Sequence, residues 1–320
     1  VPDDSTSPSP AWPAADGPEA DTTKLAGLPG DNPLGFFAAL GVQASLSAEG
    51  HDCKLAWTDE PIPRASITPT VSFEAIADAA LAVAESWLAG PALDQEIDPK
   101  LKLRPPEIRD YLDRSRREGT RAVLSSCLLA EDSLDNSGNA KPSDLYFTAG
   151  QQRFVTIART LLDEVAAKEV IADLEASWTY ECKRESLMWD STDDRQHAYS
   201  AADPTDYTAN PKLTNPGAEA LAVIGLSRYP CFSADRTLTQ GCSGSWKNGS
   251  FTWPLWTVPA TKRAVRSLLA QVAEPSGDQA RRGEWYRAWG VSAVLEAQIR
   301  RSSQGGYGTF GPARVVWQRE

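Results

Sequence analysis

The stretch from Asn32 to Leu46 constrains the fold more than any other part of the chain. Asn32 offers a side-chain oxygen to the free amides of a helix start, and Pro33 fits the first helical position, where its missing N–H is not needed. Leu34, Phe36, Phe37 and Leu40 then give the helix an apolar face, and Gly50 sets the limit before which it ends. Phe36 to Leu46 is also the most apolar run in the sequence, interrupted by Gly41, Gln43 and Ser45. No run approaches the roughly 18 apolar residues that span a bilayer. With 320 residues, 41% hydrophobic and 23% charged, the chain can build one large core or two modest ones.

Residues 1–23 differ from the rest: they are rich in Pro, Ala, Ser and Asp, carry five acids and no base, and hold almost no aliphatic side chain. Such a segment cannot bury enough apolar surface to offset its ordering entropy. We expect a disordered acidic leader over 1–23 and an ordered body over 24–320. The leader lacks the basic start and apolar middle of a secretory signal, so a cytoplasmic location is expected, with no membrane partner.

Within the body, Cys53–Thr58 and Ala65–Thr70 read as a hairpin. Ser72 caps a helix whose Phe73, Ile76, Ala80, Leu81, Ala84, Trp87 and Leu88 recur at helical spacing. Further helices are expected after Pro105-Pro106, over Thr120–Ala130, up to about Val165, over Ala218–Leu226 and, amphipathically, over Lys262–Val272. Strands are expected near Tyr229–Phe232, over Phe251–Trp256 at a sheet edge because of Pro254, over Val291–Arg300 and over Arg314–Trp317. The fold class is α+β, with helices packed on a mostly antiparallel sheet. Residues 24–178 are helix-rich and 179–320 strand-richer, a division that two subdomains could share.

The motifs of common catalysis are missing: no phosphate loop, no GxGxxG, no HExxH and no GxSxG. Five widely spaced cysteines without a CxxC pair, and two histidines (His51, His197), do not frame a structural zinc site. We expect no cofactor. Asp190, Asp193 and Asp194, followed by Arg195 and His197, could bind Mg²⁺ or act as an acid/base pair, which would make the chain an enzyme. A solvated loop with an internal Arg–Asp pair is the plainer reading.

Donor-rich segments are the stronger signal. Gly150-Gln151-Gln152-Arg153 at a helix start, with Lys141 upstream, places amides and cations where a phosphate or a base edge could sit, though helix capping explains it equally. Arg300, Arg301 and Tyr307, with the surrounding glycines and Arg314 beyond, could grip a nucleic-acid backbone and stack on a base, or simply form a long hairpin connection. Trp253 and Trp256 could line a platform, but aromatic residues in strands are usually core. The net charge of -11 argues against a general nucleic-acid coat. Yet residues 100–121 carry eight bases against four acids, and 262–320 ten against five.

Four segments occur in a familiar order: Leu28-Pro-Gly-Asp-Asn-Pro-Leu-Gly-Phe-Phe-Ala-Ala-Leu-Gly, Lys141-Pro-Ser-Asp-Leu-Tyr-Phe-Thr-Ala-Gly-Gln-Gln-Arg-Phe, Phe251-Thr-Trp-Pro-Leu-Trp and Gly305-Gly-Tyr-Gly-Thr-Phe-Gly-Pro-Ala-Arg. Over roughly residues 25–317 the chain resembles actinobacterial and related accessory proteins encoded with type I-G (formerly I-U) CRISPR systems. Within that group it is similar to small effector-complex subunits and to the extension family associated with the helicase-nuclease. Its opening element also resembles the start of large-subunit proteins of such complexes. The resemblance implies antiviral defence and partnership with effector-complex subunits, with contact to crRNA or target DNA. It carries over no reaction, and the net acidity departs from what an independent DNA binder would show. A non-enzymatic subunit is therefore the first expectation, with the Asp-cluster enzyme and a purely protein-binding adaptor as alternatives.

Overall fold

The structure, a computed structural model, describes residues 21–94, 96–119, 123–148, 152–192, 213–233, 237–272, 279–301 and 308–319. All but the last three residues of the acidic leader lie outside them. The chain is α+β, with antiparallel sheets. The first strand, β1 (Thr23–Pro29), starts at the leader's last residue and leads into α1 (Pro33–Ala48). Asn32 caps that helix as its sequence implies, with Oδ1 accepting from the Leu34 amide at 2.9 Å.

Helix α1 has more than one buried face. Gln43 and Ser45, which interrupt its apolar run, are as fully buried as Phe36 and Phe37. Gln43 is accommodated because its Nε2 donates to the Ala260 carbonyl at 2.9 Å. Helix α2 (Phe73–Leu88) packs on α1, with Ser72 Oγ accepting from the Ala75 amide. Helices α3 (Pro105–Glu118) and α5 (Phe154–Glu164) stand where expected; of the helix expected over 120–130, residues 120–122 lie outside the described residues, and the rest holds one turn, α4 (Ser125–Leu128). A sixth helix, α6 (Ala167–Glu175), was not anticipated, and α7 (Pro216–Gly225) crosses α1. At that crossing Gly41 rests on the Leu221 carbonyl and Gly225 on the Phe37 carbonyl, and a Cβ at either would collide with backbone.

Two sheets enclose this helical centre. Strands β2 (Lys54–Trp57) and β3 (Arg64–Thr68) form the expected hairpin. β3 pairs with β1, and the short β8 (Ala260–Thr261) adds to β2 from far along the chain, giving the order β1-β3-β2-β8. The hairpin β4 (Cys231–Ser233) and β5 (Thr237–Thr239) stands apart. The second sheet runs β10 (Gly308–Phe310), β9 (Val291–Arg301), β7 (Gly249–Trp256), β6 (Cys242–Gly244), and β11 (Arg314–Gln318) also pairs with β9. Pro254 therefore does not lie in an edge strand, because β7 has neighbours on both sides. The expectation fails for a local reason: β6 pairs only with Gly249–Phe251, so at Pro254 the strand is bonded on the β9 side alone.

Trp253 and Trp256 join the two sheets and are core residues. Their indole N–H groups donate to the Gly30 carbonyl at 2.9 Å and the Leu55 carbonyl at 2.6 Å. Phe36 stacks on Trp57, and Phe37 on Phe251. One apolar core draws on both halves of the chain. Helices α8 (Lys262–Val272) and α9 (Gln279–Ala288) complete the described elements. No helix among the described residues is long and apolar enough to cross a membrane.

One polar joint in this core makes stability depend on pH. Asp173 of α6 accepts from the Ala218 amide at 3.0 Å, at the start of α7. Burial pushes its carboxyl up to about 6, outweighing the amide bonds that favour the anion. A carboxyl raised on folding contributes stability that is complete below its ordinary range near 4 and is lost as pH rises through about 6. Asp173→Asn keeps an oxygen acceptor and removes the charge. We expect it to be about 2 kcal/mol more stable than wild type at pH 7.5 and equal to it at pH 4. Urea unfolding across that range checks this; a gain that did not change with pH would refute it.

Candidate nucleic-acid interface

Among the four segments singled out in the sequence, the second and fourth meet at one loop. The loop from Lys141 to Thr148 is pinned to β5: the Lys141 carbonyl accepts from Thr237 Oγ1 at 2.6 Å, and the Asp144 amide donates to Thr239 Oγ1 at 2.8 Å. Gly308 closes the contact from the other side, donating its amide to the Phe147 carbonyl at 2.8 Å. Its α-carbon lies so close to the Phe147 ring that a Cβ would not fit.

Arg301 is the bolt of this arrangement. Its Nη1 donates to the Tyr146 carbonyl at 3.0 Å and its Nη2 to the Asp144 carbonyl at 2.7 Å. The guanidinium lies 3.5 Å from the Trp246 ring centroid and 5.3 Å from that of Phe147. Burial lowers it to about 10, with Asp144 acting in the opposite sense. This corrects the expectation of an outward-facing nucleic-acid ligand, since the side chain is spent on holding the loop. The alternation of β9 leaves Arg300 exposed instead.

The remaining candidates disperse. Arg153 is exposed at the start of α5, as expected, but its side chain caps nothing. Gln152 beside it is half-buried, with Oε1 buried and unpartnered. Lys141 is half-buried. Arg314 is exposed and bound to Glu296, with Nε at 3.1 Å from Oε1. Gln151 and Tyr307 lie outside the described residues.

Of the Asp cluster, Asp190 alone lies among the described residues. Asp190 is 2% exposed. Its Oδ1 accepts from Asn32 Nδ2 at 2.7 Å, from the Thr192 amide at 2.9 Å and from Thr192 Oγ1 at 2.7 Å. It thereby fixes the residue that caps α1, a structural duty. Asp193, Asp194, Arg195 and His197 lie outside the described residues. Among those described, no group of His, Cys, Asp and Glu could hold a metal ion. The five cysteines are free thiols, and burial pushes both Cys127 and Cys231 up to about 12.

A cleft of about 440 Å³ at the start of α1, not foreseen from sequence, is lined by Asp31, Arg64, Trp178, Tyr180, Thr192 and Pro312. It is where the family-like opening and closing segments meet. Burial raises the Asp31 carboxyl, with its own backbone amide and Arg64 opposing. A second cleft of about 600 Å³ carries Asp94, Glu96 and Glu118 opposite Arg114, Arg117 and Arg159, so its charges balance.

The two basic islands differ sharply once folded. On α3, Arg109 and Arg116 bind Glu131 at 3.2 Å, Arg116 also binds Asp113 at 2.6 Å, and Arg114 binds Asp94 at 3.4 Å and Asp110 at 3.5 Å. Three of that island's eight bases, Arg109, Arg114 and Arg116, are thereby paired with acids. On α8, by contrast, Lys262, Arg263 and Arg266 are exposed and make no ion pair among the described residues. No protein-family model matches the chain, and no curated protein matches it.

Proposed function

We propose that the chain is a non-enzymatic subunit of a type I-G CRISPR antiviral system. It works in the cytoplasm and contacts crRNA, target DNA or the effector subunit that holds them through the cations of α8. The observation that carries this reading is the charge of Lys262, Arg263 and Arg266, which are exposed and make no ion pair among the described residues, whereas Arg109, Arg114 and Arg116 of the other basic island are paired with acids. Such charge gains most from neutralising phosphates and releasing their counterions. The net charge of -11 repels nucleic acid elsewhere, which confines contact to this face. The family-like segments supply the setting, and they carry no reaction with them.

The test is salt-dependent binding of the full chain, alone and co-expressed with effector subunits, to labelled crRNA and duplex DNA. We expect binding to weaken with a log–log salt slope of about -1 to -2, the signature of one or two phosphate contacts. Arg263→Glu together with Arg266→Glu should remove it. If the wild-type chain binds neither nucleic acid nor a partner at about 50 mM salt, where such binding is strongest, the proposal is overturned.

A further inference from the structure

A cation that stands out in no sequence motif is buried just after α7. Arg228 ends the short 3-10 turn Leu226–Arg228 that follows α7, and it is 8% exposed. Its Nε and Nη2 are buried and have no hydrogen-bond partner. A buried guanidinium normally has carboxylates or carbonyls to satisfy it, because desolvated N–H groups are costly to leave unmade. Here the nearby charges make matters worse. Burial lowers the Arg228 guanidinium to about 10, and Arg266 pushes it the same way. Lys262 is lowered by burial, then by Arg228 and Arg266.

The three cations therefore share one neighbourhood, and among the described residues the thiols of Cys53 and Cys127 favour the charge of Arg228, and Cys53 that of Lys262. Burial raises both thiols, so neither supplies a counter-charge at neutral pH. The helix start adds positive potential from its free amides, where basic residues are unfavourable and an anion is favoured. The site is built rather than loose: Gln43 holds the Ala260 carbonyl at the β8–α8 junction, and Thr261 Oγ1 accepts from the Ala264 amide at 3.4 Å. Among the described residues no ion pair joins Arg228, Lys262 or Arg266 to a carboxylate.

We propose that Arg228, Lys262 and Arg266 bind one phosphate group, Arg228 from the floor of the site and Lys262 and Arg266 from its rim. Resting on the function proposed above, the phosphate belongs to a bound RNA or DNA strand. The buried floor distinguishes this from a sliding electrostatic surface, because a phosphate must enter the site to reach Arg228. Two guanidinium groups and an ammonium match a phosphate's several oxygens better than a single carboxylate's two.

The experiment uses the full chain and Arg228→Gln, which removes an unsatisfied buried charge and should therefore fold. If it does not, Lys262→Gln with Arg266→Gln, both at exposed positions, gives the same readout. Fluorescence anisotropy with a labelled single-stranded RNA should show about tenfold weaker binding for Arg228→Gln, as loss of charged bonds to one phosphate implies. Lys168→Gln, which removes an exposed cation on α6, should bind as wild type does. In parallel, inorganic phosphate at matched ionic strength should raise the melting temperature of wild type and not of Arg228→Gln. Unchanged RNA binding with an unchanged phosphate response overturns the site while the proposed function stands. If wild type binds no nucleic acid, the proposed function falls. A phosphate response lost in Arg228→Gln would then assign the site to a free phosphate, and no response in wild type would remove the site too.

Discussion

Gly41→Leu should yield no folded protein, and Gly225→Leu should do the same. Each glycine lies against a backbone carbonyl of the other helix, Gly41 against Leu221 and Gly225 against Phe37, and the next contact of each is again backbone. A collision with a flexible side chain can be relieved by a rotamer change, but these carbonyls are fixed by their helices. The only relief is to drive α1 and α7 apart. Helix α1 has no free side toward which to move, since Phe36 is stacked on Trp57, and Phe37 is stacked on Phe251 and tilted against Trp189. Separation would open voids on those faces while leaving the crossing strained. Overpacking typically costs about 1–3 kcal/mol, and adding cavities across the core takes the total beyond about 5 kcal/mol. That is comparable to the whole stability of an ordinary domain. Gly41→Ala is the measurable case: it should lose about 2–3 kcal/mol in urea unfolding, with the far-UV spectrum retained. Wild-type stability in that variant would mean that the helices do not cross this closely.

That crossing shows where sequence reading stops. Asn32, Pro33 and the apolar residues after them identify α1 as a helix, because capping and first-turn chemistry are local. The partner of Gly41 is 180 residues away, and a glycine inside an apolar run reads as a weakness until the opposing carbonyl is known. Periodicity likewise reports one apolar face, while α1 is covered by α2, α7 and β1 together. Strands β5, β6, β8 and β10, of two or three residues each, are too short for alternation to register. Helix α9 escapes for a different reason: arginines and aromatic residues are mixed along it without a helical repeat.

The candidate site was legible in composition and not in geometry. Counting charges finds both basic islands, but not that Glu131 and Asp94, outside α3, pair with three bases of the first. Arg228 stands alone in a neutral stretch, so nothing in the sequence says that it is buried, or that α8 brings two more cations to it. Asp190 stands out in the sequence for its neighbouring acids, and that density says nothing of the contact its carboxylate makes. Its carboxylate serves Asn32, 158 residues earlier, and that separation is invisible along the chain.

Arg301→Ala should be the most damaging substitution at any of the sequence-derived candidates, and its effect should fall on stability rather than on binding. Removing the guanidinium leaves the Asp144 and Tyr146 carbonyls without the donors they hold at 2.7 and 3.0 Å. Charged hydrogen bonds of this kind contribute about 1.5–3 kcal/mol each. The face of Trp246 loses a cation 3.5 Å from its centroid, worth about another 1 kcal/mol. Because one side chain makes all these contacts, the losses overlap, and we expect about 3–5 kcal/mol in all, the range seen when a buried charged contact is broken from one side. Arg301→Lys keeps the charge but not the fork. A single ammonium cannot reach both carbonyls while lying flat on the indole, so lysine should recover less than half of the loss. Arg153→Ala, at an exposed position, should change stability by less than about 0.5 kcal/mol. Urea midpoints of the three variants test the ranking. RNA titrations at a temperature where each is folded test the division of labour: the salt slope of Arg301→Ala should equal that of wild type, because a guanidinium enclosed by Trp246 and Phe147 displaces no counterion from a phosphate. A variant with the wild-type midpoint and a slope reduced by about one unit would return Arg301 to the binding surface.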